Sequence, residues 1–424
     1  MKKSSTRAWI VALSVAVILF VVSGIVANTI SLFMTQFSTE FADTATMAQL
    51  ALYFTIMTGT MAICQPIARK LFAKIDTRVV ISLAVILAAG GFFAISFYTN
   101  YIGWMFSGVV IGFGFSFIVY LLGPILINNW FKKKAGTVLG VVLACSNLGG
   151  ALFGTVAGSM IKSMGWQSAI QICALIAAAV GLIVAIFGLR YKPDPEKGEC
   201  AYGEETGAVA AKVVDQGELT GLTFGQSLKT PWFWMIAVSV IVCYFGSNFQ
   251  TQAAKFATTA YAFDIAQAGV LSTVLMIGAV IGKVLLGIIN DKFGCAASYS
   301  VGCGSMVVGI LVLVICSGMG AFFGFLGAFL FGFGFATMSI APPFVIKKML
   351  GAKHFAQIYG YVASIGTLTS MFSSNIYAGI FTSTGSYTGG MIAACVALVV
   401  GIIVVCIGVA ASKKYWAKKA EVKA

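Results

Sequence analysis

Hydrophobic residues form long runs along the chain, and short polar segments separate these runs. A helix needs about 20 apolar residues to cross the hydrocarbon core of a bilayer. The runs that reach this length predict transmembrane helices at 8–36, 47–67, 79–98, 102–127, 136–161, 167–189, 232–257, 265–289, 297–318, 320–346, 355–381 and 387–411. The pattern therefore predicts an all-α membrane protein with twelve transmembrane helices.

A longer polar stretch, residues 191–229, separates the sixth predicted helix from the seventh. It contains two prolines and seven of the thirteen acidic residues. Such a composition favours a hydrophilic linker that is largely disordered or weakly helical. We therefore expect a six-helix bundle at 1–190, a cytoplasmic linker at 191–229 and a second six-helix bundle at 230–424.

The motif Gly-Phe-Gly-Phe occurs once in each half of the chain. It starts at Gly112 and again at Gly332, 220 positions later, and Gly140 and Gly360 keep the same offset. A repeat at half the chain length indicates a duplicated bundle, so we predict two pseudo-symmetric halves. Two bundles that face each other across a midplane site are a common architecture for solute carriers.

Glycines also recur at four-residue spacing inside the predicted helices, at Gly108 and Gly112 and at Gly150, Gly154 and Gly158. This spacing favours close approach of two membrane helices, because no side chain keeps their backbones apart. The alternative is that these helices slide against each other during transport.

Composition and charge exclude other classes of protein. A chain with 59% hydrophobic and 9% charged residues is not a soluble globular protein. Lysine and arginine precede the first helix and follow the even-numbered helices, whereas the opposite loops contain only Lys162. The positive-inside rule then places both termini in the cytoplasm. Basic residues spread over separate loops do not form a patch for nucleic acid.

Three segments resemble a known transporter family. Residues 287–294, Gly-Ile-Ile-Asn-Asp-Lys-Phe-Gly, are similar to the G-x-x-x-D-(R/K)-x-G signature of the major facilitator superfamily. Residues 129–136, Asn-Trp-Phe-Lys-Lys-Lys-Ala-Gly, and 165–167, Gly-Trp-Gln, resemble the monocarboxylate and oxalate/formate antiporter branch. The arrangement of six helices, linker and six helices is similar to that superfamily over the full chain, which implies a major facilitator fold.

The resemblance implies a gate on the cytoplasmic side, formed by an acid near a helix N-terminus and by basic partners. In the second half, Gly287, Asp291 and Lys292 match the signature. We expect Asp291 to act in gating; the alternative is an ordinary solvated loop charge.

The first-half copy of the signature departs from the family pattern. Arg69 stands at the position of the first glycine, Ala73 at that of the acid and Asp76 at that of the last glycine. Asp291 is therefore expected to carry more of the gate, with Arg69, Lys74 and Arg78 as basic residues of the first-half copy.

Two charged residues fall inside the predicted helices, and both are lysines. A lysine at mid-bilayer costs roughly 2.5–3.5 kcal/mol on insertion scales. Lys283 precedes Asp291 by about 12 Å of helix, too far for its side chain to reach the headgroups easily. It also resembles, four residues before Gly287, a substrate-binding arginine of the related carriers. We predict that Lys283 binds an anionic substrate group; the alternative is a lysine in a wet vestibule that does not touch substrate.

Lys255 is predicted to lie about 32 Å along the seventh helix from Trp234, near the outer interface. It continues a polar stripe of Tyr244, Asn248 and Gln252 at helical spacing. Such a stripe avoids lipid and should face the cavity, so all four residues are candidates for substrate binding. Two alternatives are that the stripe contacts neighbouring helices and that Lys255 reaches the interface.

Other helices contribute uncharged polar residues to the predicted cavity. Helix breaks are expected at Pro124 and at Pro342-Pro343. Each polar residue is individually more typical of helix–helix hydrogen bonding than of ligand contact. The candidates for substrate binding are Asn28 and Ser31 in helix one, Tyr120 in helix four, and Ser364 and Thr367 in helix eleven.

No acidic residue lies inside any predicted helix. The related monocarboxylate carriers place an acid one turn before their arginine, where this chain has Ala279. The related oxalate carriers add a lysine on helix eleven, where residues 360–366 carry no charge. Exchange of anions, or uniport, therefore fits better than proton symport through a carboxylate relay.

We therefore expect a transporter that moves a small organic anion, similar to a monocarboxylate, by alternating access. The alternatives are a carrier of larger amphipathic or neutral compounds and a transport-inactive sensor. An enzyme is not expected, because the only histidine, His354, has no catalytic partner in one span. We expect a monomer in the bacterial cytoplasmic (inner) membrane, with lipid around it and no metal, cofactor or nucleic acid.

Overall fold

The computed structural model describes residues 5–41, 47–194, 199–204 and 221–421, apart from the side chains at 47–48, 51, 68–70, 73–74, 254, 265–266, 374, 378 and 417–421. Within these residues the secondary structure is helical, with isolated β-bridges and no strand. The chain divides into two compact units, Met1–Asp215 and Gln216–Ala424. This division falls inside the predicted linker.

The described part of the first unit contains six long helices. The first, α1, consists of Thr6–Ile18, a π-turn at Leu19–Ser23, Gly24–Val26 and Ile30–Glu40. The others are α2 (Met47–Lys74), α3 (Thr77–Ala94, with a 3-10 turn at Ile95–Phe97), α4 (Tyr101–Phe117, a π-turn at Ile118–Leu122 and Gly123–Trp130), α5 (Ala135–Met164) and α6 (Trp166–Gly188).

The described part of the second unit repeats this plan after a short linker helix, Phe224–Leu228. Its first long helix, α7, consists of Pro231–Ser247, a 3-10 turn at Asn248–Gln252 and Ala253–Ala260. The others are α8 (Ile265–Phe293), α9 (Cys295–Ile315), α10 (Ala321–Phe335 and Thr337–Leu350), α11 (Phe355–Thr384) and α12 (Thr388–Glu421).

Most of these helices are long and apolar enough to cross a membrane. Ten spans satisfy both conditions among the described residues. Helix α2 has a shorter apolar stretch, Leu52–Ile67, and α11 is rich in serine and threonine. The prediction of an all-α membrane protein with two six-helix bundles is confirmed.

The Gly-Phe-Gly-Phe motif packs in the same way in both units. A Cβ atom on Gly112 would lie 2.5 Å from the carbonyl oxygen of Met57 on α2. A Cβ atom on Gly332 would lie 2.0 Å from the carbonyl oxygen of Leu275 on α8. The first glycine of each motif therefore lets α4 or α10 touch the backbone of a neighbouring helix.

The second glycine of each motif faces a different neighbour. Cβ atoms on Gly114 and Gly334 would each lie 2.5 Å from a backbone oxygen, of Ala84 on α3 and of Gly302 on α9 respectively. Residues two apart on a helix point in nearly opposite directions. Helices α4 and α10 are therefore wedged between two neighbours, and the sequence repeat is a structural repeat.

The other predicted glycine contacts are only partly correct. Gly108 meets the backbone of Tyr53, and Gly150 meets Asn28, as expected for close helix packing. At Gly154 and Gly158, by contrast, no described atom lies within 4 Å of an added Cβ. That end of α5 is not closely packed against the described residues of its own unit.

Several predicted helices are irregular. The spans 8–36 and 232–257 were expected as continuous helices, but α1 and α7 are interrupted, at residues 27–29 and at Asn248–Gln252. The irregularity expected at Pro124 is confirmed as a π-turn just before it. In α10 the interruption lies at Ala336, whereas Pro342 and Pro343 are inside a helix. A proline ring clashes with the carbonyl group four residues earlier, so its distortion falls on the N-terminal side.

The two copies of the family signature differ in their backbone. In the second unit α8 continues through Asp291 and Lys292 and ends at Gly294, whose φ of 88° suits glycine. In the first unit α2 continues to Lys74, beyond the predicted span 47–67, so most of this copy of the signature is helical. Asp76 replaces the last glycine and caps α3 by accepting a hydrogen bond from the Arg78 amide, 2.9 Å away.

The described ends of the linker are folded against the two units, which differs from the disorder expected for residues 191–229. The Tyr202 amide donates to the Trp130 carbonyl at the end of α4, at 2.8 Å. The Leu222 amide donates to the Leu350 carbonyl at the end of α10, at 3.0 Å. Apolar side chains at these ends explain the docking. The average composition of residues 191–229 does not reveal them.

Candidate functional site

Lys283 lies inside the second unit and is buried. Its side chain is 7% exposed, and Ala279 and Leu286, one turn to either side, are 0% exposed. The adjacent Gly282 explains this depth, because a Cβ atom there would lie 2.3 Å from the Phe333 carbonyl oxygen on α10. This burial excludes a side chain extended outward among lipid chains.

Two further polar groups near this part of α8 are buried without a hydrogen-bond partner among the described residues. They are Oδ1 of Asn290, two turns after Lys283, and Oγ1 of Thr337 on α10. The Thr337 oxygen packs against Gly302, where a Cβ atom would lie 1.8 Å away. Asn290 stands inside the signature that drew attention to Gly287 and Asp291, but its neutral side chain gave no sequence signal.

The polar stripe on α7 contacts neighbouring helices of its own unit. Tyr244 is 3% exposed, and its ring lies 2.7 Å from where a Cβ of Gly366 on α11 would be. The Asn248 amide donates to the Tyr244 carbonyl at 2.8 Å and to Ser370 Oγ at 2.9 Å. These contacts favour the interpretation as a packing stripe for Tyr244 and Asn248.

Lys255, the last member of the stripe, is exposed. Its Nζ atom lies over the Phe381 ring, 4.3 Å from the centroid. Gln252 accepts a hydrogen bond from the Tyr387 hydroxyl at 3.0 Å. Phe381 and Tyr387 were not predicted, since aromatic residues at helix ends are common in membrane proteins.

The candidates of the first unit lie close to the helix irregularities. Asn28 is exposed at the interruption of α1, and its amide donates to the carbonyl oxygens of Ser23 at 3.2 Å and Ser146 at 3.3 Å. Ser31 is exposed in the following turn. Tyr120 lies in the π-turn of α4 and is half-buried. The two α1 residues are therefore accessible.

The predicted hydroxyl residues of α11 are buried. Ser364 is 8% and Thr367 is 1% exposed. Their hydroxyls donate to the carbonyl oxygens of Gly360 and Ala363, at 3.0 and 2.9 Å. Serine and threonine satisfy themselves in helices through this bond to the preceding turn.

The predicted gating residues divide into two groups. In the second unit, Gly287 is buried, whereas Asp291 and Lys292 are exposed in the last turn of α8. In the first unit, the side chains of Arg69 and Lys74 lie outside the described residues.

Arg78 has a role in the structure of the first unit that its sequence position did not suggest. Its Nε atom donates to the Leu189 carbonyl oxygen at 3.0 Å. The guanidinium of Arg7, which was not predicted, donates to the carbonyl oxygens of Phe187 at 3.0 Å and Gly188 at 3.3 Å. Two arginines thus donate hydrogen bonds to carbonyl groups at the C-terminal end of α6. Their positive charges are favourable beside the negative end of the helix dipole.

The Gly-Trp-Gln segment at the start of α6 has a structural explanation. Gly165 adopts a φ of 81°, and both Trp166 and Gln167 donate hydrogen bonds to the Glu40 carboxylate at the end of α1. An acid near a helix N-terminus is favourable for the helix dipole. The segment therefore fixes one end of α1 to α6.

Comparison with known proteins decides the family. The sequence profile of the Major Facilitator Superfamily matches residues 13–253 and 236–423, which together cover nearly the whole chain. The chain belongs to the Major Facilitator Superfamily. It is a multi-pass membrane protein, and the function common to this family, transport, applies to it.

Relatives within the superfamily agree with the resemblance seen in the sequence. The chain is 23% identical over 323 residues to the uncharacterized MFS-type transporter YhjX of Escherichia coli (strain K12), covering 75% of each chain. It is 25% identical to the oxalate:formate antiporter of Oxalobacter formigenes over 69% of each chain. It is 20% identical to monocarboxylate transporter 12 of Xenopus laevis, covering 87% of this chain and 81% of the relative.

A solved structure shows the same fold. The proton:xylose symporter XylE, bound to 6-bromo-6-deoxy-D-glucose, superposes with a TM-score of 0.76 over 96% of each chain. The two sequences are 13% identical, so the likeness concerns the fold alone. The predicted major facilitator fold is confirmed.

Proposed function

We propose that this transporter moves a small organic anion, such as a monocarboxylate, by alternating access, and that Lys283 binds the anionic group. The observation that carries the proposal is the burial of Lys283, a residue that is 7% exposed inside an apolar unit. A cation in such surroundings attracts an anion strongly, because little water screens it. The names of two relatives, an oxalate:formate antiporter and a monocarboxylate transporter, support this substrate class.

The other candidate residues divide by exposure. We propose the exposed Asn28 and Ser31 and the half-buried Tyr120 as polar substrate contacts. The buried Tyr244, Ser364 and Thr367, together with Asn248, position the helices that carry the site. Because no predicted helix contains an acid, exchange or uniport of the anion is proposed rather than symport through a carboxylate relay.

The proposed topology and gate follow from the distribution of charge. Both termini and the linker 191–229 lie in the cytoplasm, and the bundles 1–190 and 230–424 cross a bacterial inner membrane. Gly287, Asp291 and Lys292 gate this side, with Arg69, Lys74 and Arg78 as basic residues of the first bundle. The protein acts as a monomer.

Counterflow into liposomes tests the proposed function. Vesicles containing the purified protein are loaded with formate, oxalate or lactate, and uptake of the same labelled anion is measured. We expect Lys283→Met to reduce uptake at least about tenfold, since losing a charge-assisted hydrogen bond costs roughly 1.5–3 kcal/mol. Lys283→Arg, which keeps the charge, should retain part of the activity.

Lys162→Met is the matched control, because Lys162 is exposed at the end of α5. It should transport like the unaltered protein. Unimpaired anion uptake by Lys283→Met would remove the proposed site. Counterflow of neutral solutes without any anion would favour the carrier of neutral compounds, and silence for all solutes would favour a sensor.

A further inference from the structure

The second lysine, Lys255, occupies a different kind of place from Lys283. It lies on the segment Ala253–Ala260, beyond the 3-10 turn of α7 and therefore at the end of the second unit remote from the linker. Lys255 is about 8 Å from the end of α7, whereas Lys283 is about 27 Å along α8 from that same end. The backbone positions of the two lysines therefore differ in depth by roughly 20 Å.

The aromatic platform beneath Lys255 is held firmly. Phe381 stacks on Tyr387, with ring centroids 4.5 Å apart and planes inclined by 21°. Tyr387 is 2% exposed, and its hydroxyl donates to Gln252, which lies one turn before Lys255. The contacts thus run from α7 to α11, to the start of α12 and back to α7.

The Lys255 ammonium has N–H donors with which it can bind a ligand. Among the described residues no carboxylate forms an ion pair with it. The nearby acid of the turn between α7 and α8, Asp264, accepts a hydrogen bond from the Gln267 amide at 2.7 Å and caps α8. A ring face attracts the ammonium weakly at an exposed site, and it accepts no conventional hydrogen bond.

We propose that Lys255 is an anion-capture site at the linker-distal end of the second unit, separate from Lys283, and that Phe381 holds its ammonium in place for a carboxylate. The proposal rests on the proposed function for the class of cargo. An exposed cation with open donors binds a carboxylate weakly and releases it readily, which suits a first contact. The platform restricts the lysine side chain, so that less conformational entropy is lost on binding.

Lysine acylation read by mass spectrometry tests capture without requiring transport. The purified protein is treated with an amine-acylating reagent in formate, oxalate or lactate, and in chloride of equal ionic strength. We expect the three carboxylates to slow acylation of Lys255 at least about twofold and to leave Lys162 unchanged. Equal acylation of Lys255 in carboxylate and chloride, or equal protection of Lys162, would overturn the proposal.

Transport kinetics test the role of the site. With an anion that gives counterflow, Lys255→Met should raise KM about twofold to fivefold and leave the maximal rate unchanged. Phe381→Leu should raise KM in the same direction, and Phe381→Tyr, which keeps the ring, should restore it. A lower maximal rate of Lys255→Met with an unchanged KM would contradict capture.

The two proposals fail in distinguishable ways. If no anion gives counterflow, the proposed function fails, while protection of Lys255 still reports whether it binds carboxylates. If Lys283→Met transports normally but Lys255 is protected, the deep site is wrong and the capture site stands. If Lys283→Met is inactive and Lys255 shows no protection, the capture site alone is wrong.

Discussion

At the scale of single residues, glycine decides how closely the helices of each unit approach. Gly332 and Gly112 lie against neighbouring backbone, and backbone cannot move aside as the end of a flexible side chain can. Gly304 on α9 is surrounded by open space, with no described atom within 4 Å of an added Cβ. A side chain is therefore tolerated at Gly304 but not at Gly332 or Gly112.

Replacing one tightly packed glycine tests this interpretation. Gly332→Ala places a Cβ atom 2.0 Å from the Leu275 oxygen, so the helices must separate. We expect a loss of roughly 1–3 kcal/mol and a lower Tm of the detergent-solubilised protein. Gly304→Ala is the matched control and should keep or slightly raise Tm, since alanine favours a helix. Equal Tm values for the two variants would contradict the tight packing of α10 against its neighbouring helix.

At the scale of helices, the two interruptions are related by the repeat. Asn28 lies at the interruption of α1, and Asn248 lies 220 positions later at that of α7. Each amide donates to a carbonyl of its own helix and to a serine of another helix, Ser146 of α5 or Ser370 of α11. The side-chain amide of asparagine carries two donors, so it can bond its own helix and a neighbouring helix at the same time.

A double-mutant cycle measures the connection between α7 and α11. Asn248→Ala and Ser370→Ala each remove one side of the 2.9 Å hydrogen bond. We expect each variant to lose about 1 kcal/mol or more of stability, with a coupling energy of about 0.5 kcal/mol or more. Asn375→Ala, which removes an exposed amide on α11, should change Tm little. Strictly additive losses would show that the bond does not stabilise the interruption.

At the scale of the whole chain, sequence patterns predict the helices well and their irregularities poorly. Apolar runs, the basic loops and the repeat depend on many residues at once, so the helix count and the two bundles follow from them. The interruption at Ala336 and the partners of Asn248 depend on contacts between distant residues, which periodicity does not contain. Likewise, the depth of Lys283 was predictable from helix length, whereas the ring beneath Lys255 was not.

The docking of the linker on each unit is another feature that composition could not predict. Tyr202 forms a β-bridge with Phe131, and Gly221 forms one with Gly351. These two partners directly follow α4 and α10 and are 220 positions apart. Both described ends of the linker therefore dock at equivalent places in the repeat. Phe224, in the linker helix, stacks on Tyr361 of α11 with centroids 3.9 Å apart and fixes the second of these ends.

Limited proteolysis tests whether this stacking holds the linker helix. Lys229, directly after that helix, is exposed, but a protease needs locally unfolded backbone to cut there. We expect Phe224→Ala to speed tryptic cleavage after Lys229 about fivefold, because losing an aromatic pair costs roughly 1 kcal/mol. Leu228→Ala, at a side chain 37% exposed, is the control and should leave the rate unchanged. An unchanged rate for Phe224→Ala would mean that the hydrogen bond from Leu222 to Leu350 is sufficient to hold this end of the linker.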